Sequence, residues 1–358
     1  MLPAQIFEVF RARVPWSVMK VLLGACNIPV SLGWKNTLKK ILLNGEIKDE
    51  FVSNFDLLKE YYSTYILIGE KSIQIHKITR SDIDIVINLF KLLKIEKSTF
   101  HQTYPFSLPT EMLDSIDSKS KLIEVKEIDN KVFLIFCTKR YFAERTTINT
   151  NNLDSSVKDS LGDYDEIIGV KKYSRQFFDV VVLWKTKDLV EVRVDVASGM
   201  LDRDRFRSFL EIASTFNNLV RDKFNSKNFL ANNINMFPLV DLLYQSQEGR
   251  VVELSFLTDE GSVKNEKLRK KDHDLREESY HKAGKKAVHH INPFRVAIIW
   301  KRILLDKLET QPEILLPGTS RLISHLSPVL DEIISSKCST LEDYDFVFSK
   351  IIDYLGIS

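Results

Sequence analysis

Hydrophobic and polar positions change period partway along this chain. Before Leu122 the apolar residues recur at three- and four-residue steps, as in "IFEVFRARV" and "VMKVLLGACNI". That spacing places them on one face of a helix. The breaks at Pro15, Pro29, Gly33 and Gly45 predict short helices from Ala4 to about Tyr65, with Ser31 capping "GWKNTLKKILLNG". "KSIQIHKIT" alternates and predicts a strand, and Ser81 opens the helix "SDIDIVINLFKLLK". "TYPFSLP" breaks the pattern and marks a linker near Pro105 to Pro109.

From Leu122 the period is two. "LIEVKEIDNKVFLIFCTK" predicts a hairpin turning at Asp129–Asn130, residue types that tolerate left-handed backbone. One strand then occurs twice: "FDVVVLWK" at 178–185 and "FRVAIIWK" at 294–301. Each follows another apolar strand, "VFLIFCT" or "VELSFLT", across a long polar stretch, Lys139–Gln176 or Asp259–Asn292. Each precedes a third strand, "LVEVRVDVASG" or "PEILLPG", and then a predicted helix, "RDRFRSFLEIASTFNNLV" or "SRLISHLSPVLDEII". Order, spacing and strand sequence point to an internal duplication. In "VEVRVDV" the valines face a core, and Glu191, Arg193 and Asp195 are expected on a wet face.

The predicted fold class is α+β: a small N-terminal helical domain, then two related strand–loop–strand–strand–helix units forming mostly antiparallel sheets. The expected organisation is a helical module over 1–75 and a connecting strand and helix over 76–120. A first β-rich unit with its helix spans 121–225, a connector 226–245, and a second β-rich unit with its helices 246–358.

Composition narrows the classes only slightly. The chain has 358 residues, 44% of them hydrophobic, and a formal net charge of +2. That charge does not demand a polyanionic partner, yet it permits basic patches. Cys26, Cys137 and Cys338 are far apart and sit among apolar residues, which fits buried thiols better than a disulfide framework. No apolar run reaches the length of a membrane span, and the first residues do not read as a signal peptide. The expected location is intracellular, cytoplasmic or nuclear/nucleoid, with no membrane partner.

Four stretches carry candidate chemistry. Asp179 followed by Glu191-Val192-Arg193 is similar to the paired acids and lysine of PD-(D/E)xK nucleases, where the acids hold Mg²⁺. Arginine departs from that pattern, since it does not readily give up its proton. A turn centred on Thr186–Lys187 also places Asp179 opposite Val194 rather than Glu191. His273, His281, His289 and His290 crowd into "KKDHDLREESYHKAGKKAVHH" without metal-ligand spacing, so no metal is expected. "LLPGTSR" at 315–321 resembles a helix start that would accept an anion or simply cap itself. Finally, basic residues mixed with aromatics fill both long polar stretches, and their matching positions place them on one face of the assembly.

Basic side chains neutralise phosphate and aromatic rings stack on exposed bases. The expected function is therefore noncatalytic nucleic-acid binding, to DNA before RNA, with Lys171, Lys172, Arg175, Lys270, Lys271, Lys285 and Lys286 on phosphate. The helical module would recruit other proteins or dimerise the chain. The second expectation is a protein-interaction scaffold or adaptor subunit of a larger complex. The third is a divergent metal-dependent nuclease using Asp179, Glu191 and Arg193. No cofactor is expected.

Overall fold

The alternating segments pair into one ten-stranded sheet in which every neighbouring pair is antiparallel. The computed structural model describes residues 2–149, 154, 156–157, 160, 164, 166–197, 200–225, 228–270, 272–304 and 308–357. The strands are β1 (Lys71–Lys77), β2 (Lys121–Ile128), β3 (Lys131–Ile148), β4 (Ile167–Trp184) and β5 (Leu189–Asp195). Then come β6 (Arg250–Thr258), β7 (Val263–Lys267), β8 (Ile291–Ile299), β9 (Glu313–Leu316) and β10 (Ile333–Ser336). Their order across the sheet is β2-β3-β4-β5-β1-β10-β9-β8-β6-β7. The class is thus α+β, with helices preceding the strand-rich region.

The two tryptophan strands occupy matching places on either side of a central seam. There Ile73 pairs with Ile333 and Ser72 with Ile334. Five antiparallel steps separate β4 from β8, so the two run in opposite directions.

Helices cover both faces. On one, Phe7 and Phe10 of α1 (Pro3–Arg13), Leu22 of α2 (Trp16–Ala25) and Tyr62 of α4 (Val52–Ile68) pack over the sheet. Leu239 of α8 (Pro238–Gln245) and Phe348 of α10 (Leu341–Leu355) join the same core. That core takes in Phe133 and Phe178 from one half of the sheet and Val251 and Ile298 from the other. On the other face, Ile83 and Phe90 of α5 (Arg80–Leu92) and Ile212 and Phe216 of α7 (Asp202–Val220) cover Val181, Val190 and Val194. Among the described residues the helices also include α3 (Gly33–Ile41), α6 (Thr110–Ser115) and α9 (Ser279–Ala287).

Several expectations hold. The β2–β3 hairpin turns at Asp129, whose φ is 52°. Val180 pairs with Arg193 and Leu183 with Val190, the register of a turn at Thr186–Lys187. All three cysteines are free and buried. Burial pushes the Cys26 and Cys338 thiols up to about 12, which keeps them protonated.

Others need correction. Lys139–Gln176 is not a long loop, because β3 and β4 continue into it and pair as far as Ile148 and Ile167. The chain from 319 to 334 does not form the second expected helix. It gives a 3-10 turn at Leu322–Ser324 and then β10. Gly318 is there for packing, since a Cβ would lie 1.8 Å from the Phe294 carbonyl oxygen. The anion-binding helix start imagined at "LLPGTSR" therefore has no helix behind it. Thr79, not Ser81, caps α5, and α3 starts after Leu32 rather than after Ser31. The row Glu191, Arg193, Asp195 is buried rather than wet. It lies on the sheet face that the N-terminal helices and α10 cover; Arg13 of α1 and Lys71 of β1 neutralise Asp195, Arg193 neutralises Glu191, and the Tyr344 hydroxyl donates to Glu191.

Candidate nucleic-acid interface

Beyond the sheet, β3 and β4 run on as a two-stranded arm. β2 pairs with β3 only as far as Cys137, and β5 pairs with β4 only along Val180–Leu183. The pairs from Tyr141–Ser174 to Ile148–Ile167 thus have no neighbouring strand, an extension of roughly 25 Å at about 3.4 Å per residue. Beyond Phe142, which packs against the core at the base, the stretch is largely exposed, and its sequence is polar and mixed rather than alternating.

The exposed cations of the first predicted set all lie on this arm. Lys171 is opposite Glu144, Lys172 opposite Ala143, and Arg175 opposite Arg140. Alternation sends Lys171 and Arg175 to one flank and Lys172 with Arg145 to the other. The Arg175 guanidinium lies 5.2 Å from the centre of the Tyr173 ring. Phe142 stacks between Tyr173 at 5.8 Å and Phe177 at 5.6 Å, stiffening the base of the arm. Tyr141 stays 67% exposed beside a hollow of about 800 Å³ shared by Lys172, Arg145 and Arg203. The other basic residues there are committed elsewhere: Lys139 is buried on the Ile116 carbonyl, and Arg140 pairs with Asp179. Between the two strands the sequence carries Asp154, Asp159, Asp163, Asp165 and Glu166 against Lys158. The cations belong to the stem.

At the root of the arm lies a cleft of about 410 Å³, bordered by Arg11, Arg13, Tyr65, Glu70, Arg175 and Asp195. Its floor is a buried charge cluster. Asp195 bonds Arg13 and Lys71 and accepts the Phe178 N–H at 2.6 Å. Its own N–H donates to Asp179 at 3.0 Å. Burial alone would raise the Asp195 carboxyl, but Lys71 and Arg13 outweigh it and hold it below the usual range. For Asp179 burial wins over Arg140, and the carboxyl is raised. Burial raises Glu70 as well. The Tyr65 hydroxyl is buried without a hydrogen-bond partner.

The nuclease candidates do not converge. Glu191 is fully engaged by Arg193 at 3.0 Å, by Trp184 Nε1 at 2.6 Å and by the Tyr344 hydroxyl. Asp179 is held by Arg140 on a neighbouring strand. Among the described residues no group of three or more His, Cys, Asp or Glu side chains is arranged to hold a metal.

The second predicted set lies elsewhere. Lys270, Lys285 and Lys286 are exposed between β7 and β8, and Lys271 falls outside the described residues. Because β4 and β8 are antiparallel and five strands apart, the segments before them leave the sheet at opposite ends, roughly 24 Å apart across the strands. The expectation of one common basic face is corrected by this topology.

Sequence reading missed Arg13, Lys71 and Tyr65. One signal was present: in "KSIQI" Lys71 shares the alternation of Ile73 and Ile75, which marks a lysine aimed at a core. No known protein-family model and no curated protein matches this chain.

Proposed function

We propose that this protein binds nucleic acid without catalysing a reaction on it, and that the β3–β4 arm is the contact. The observation that carries this reading is the set of exposed cations, Arg145, Lys171, Lys172 and Arg175, interleaved with Tyr141 and Tyr173 along both flanks of a projecting hairpin. A two-stranded ribbon has the width that a DNA major groove admits. The acidic sequence between the two strands favours contact along their paired residues. Duplex DNA is the proposed ligand, in an intracellular compartment that holds it. The mirrored strand order supports a duplicated β unit, in which only the first copy extends its hairpin into an arm.

A second reading is an adaptor subunit. Leu32, 88% exposed, and Leu43, 64% exposed, give the N-terminal helical region apolar points for another protein or a second copy of this chain.

The test is fluorescence anisotropy with duplex DNA, single-stranded DNA and RNA over a salt series. Replacing Arg145, Lys171, Lys172 and Arg175 with alanine is expected to weaken duplex binding at every sequence. It should also flatten the slope of log affinity against log salt by about 0.9 for each lost phosphate contact. No binding at about 50 mM salt, or an unchanged slope in the folded variant, would sink the proposal. Copurification of a stoichiometric protein free of nucleic acid would favour the adaptor.

A further inference from the structure

A second cleft, of about 480 Å³, lies between α8 and α9 at the start of β8. His281 sits in it, 3% exposed, inside a chain of polar contacts. Its Nδ1 is 2.5 Å from a Glu266 carboxylate oxygen on β7, and its Nε2 is 2.9 Å from the Tyr244 hydroxyl on α8. The carboxylate accepts the Nδ1 proton, so the ring's other nitrogen is left to fix the phenol. The Phe256 ring, centred 6.2 Å away, closes the apolar side of the imidazole. Tyr244 is thereby held with its oxygen at a defined place in the cleft wall.

Around it, among the described residues, most cations are paired and one ammonium is not. The Lys285 ammonium lies 4.7 Å from the centre of the Tyr244 ring. Lys282, His289 and His290 line the same cleft. Lys282 is tied to Glu277, and Arg276 is spent on Asp274 and on the Ser246 and Gly249 carbonyls. Among the described residues the Lys285 ammonium and the His289 and His290 rings have no carboxylate partner, while the His289 backbone N–H donates to the Asp259 carboxylate at 3.1 Å. The only acid in the lining, Asp241, accepts from Gln245 at 2.6 Å. Lys285, His289 and His290 therefore remain as uncommitted side-chain donors in the lining, while Asp241, Gln245 and Gln247 supply acceptors and amides.

We propose that this cleft binds a small phosphorylated, hydroxyl-bearing molecule. Lys285, His289 and His290 take the phosphate, and the Asp241 side takes hydroxyls, with the Tyr244 oxygen as a further acceptor. The volume lies in the range of small-ligand sites, and ammonium and imidazole donors suit a phosphate with several acceptor oxygens. The Glu266–His281 pair positions Tyr244 rather than touching the ligand. The site lies at the opposite end of the sheet from the arm and stands independently of the arm's role.

The probe is inorganic pyrophosphate, titrated calorimetrically into the whole protein. Saturable binding below about 1 mM is expected. Lys285→Ala and His290→Ala, both at exposed positions, should each weaken it about tenfold. Tyr244→Phe should weaken it less. Absence of saturable binding, or unaltered affinity in folded Lys285→Ala and His290→Ala proteins, overturns the proposal. A duplex oligonucleotide assay separates the other source of phosphate. If Lys285→Ala reduces duplex binding and leaves pyrophosphate binding untouched, the cleft is a nucleic-acid surface and the small-ligand site is refuted.

Discussion

At the scale of single residues, the sheet interior holds charged side chains that neutralise one another. Glu191 and Arg193 are both fully buried, and each satisfies the other. Removing one partner leaves an uncompensated charge in the core. Glu191→Gln or Arg193→Met is thus expected to lower the unfolding free energy by about 3–5 kcal/mol, and the double variant by less than the sum. Denaturant midpoints decide this, and single-variant losses under about 1 kcal/mol would show that the pair is not desolvated. His76 gives a pH prediction. Burial holds its pKa down at about 4 against 6.5 ordinarily, and neither ring nitrogen has a hydrogen-bond partner. The unfolded chain therefore takes up this proton first as pH falls. Stability present above about pH 6.5 is lost progressively towards pH 4, by up to roughly 3 kcal/mol. Glu70 and Asp179, raised by burial, act with the opposite sign, so the comparison of interest is with His76→Leu. Urea midpoints of the two proteins from pH 7 to pH 4.5 should diverge, and parallel curves would refute the assignment. Alternation in "VEVRVDV" made the inward valines legible. It could not reveal that the charged row is also enclosed, because Arg13, Lys71 and Tyr344 come from remote segments.

At the scale of elements, strands with one apolar face were legible and the arm was not. Beyond Phe142 its residues are polar and largely exposed, so they give no periodic signal, and only the pairing of 139–148 with 167–176 makes them strands. The basic character of Lys171, Lys172 and Arg175 was readable, whereas their distance from Lys285 and Lys286 depends on strand direction. The false helix near 322–334 had apolar residues at helical steps, but Pro328 interrupts it and Ile333–Ser336 finds β1 and β9 as partners. The β1–β10 seam is short, yet a single core extends from Phe133 to Trp300 across it. The two halves should consequently melt together. Proteins retaining only Trp184 or only Trp300 are expected to show the same fluorescence midpoint in denaturant, and separated midpoints would mean that the halves are independent.

At the scale of the whole molecule, the order of strands along the chain differs from their order in the sheet. The helical module, the arm and both clefts are anchored to a framework whose middle is built from β1 and β10. That arrangement sets a sequence of events during biosynthesis. Ile73 must wait for Ile333, so its edge of the sheet stays unpaired while the intervening strands are made. The entropic cost of closing so long a loop grows only slowly with length, but the contact itself is delayed, which makes this a topology of high contact order. In the interval, β1 offers a bare row of backbone donors and acceptors to any passing strand. The feature that unites the finished protein is thus the one that leaves its nascent chain most dependent on chaperones.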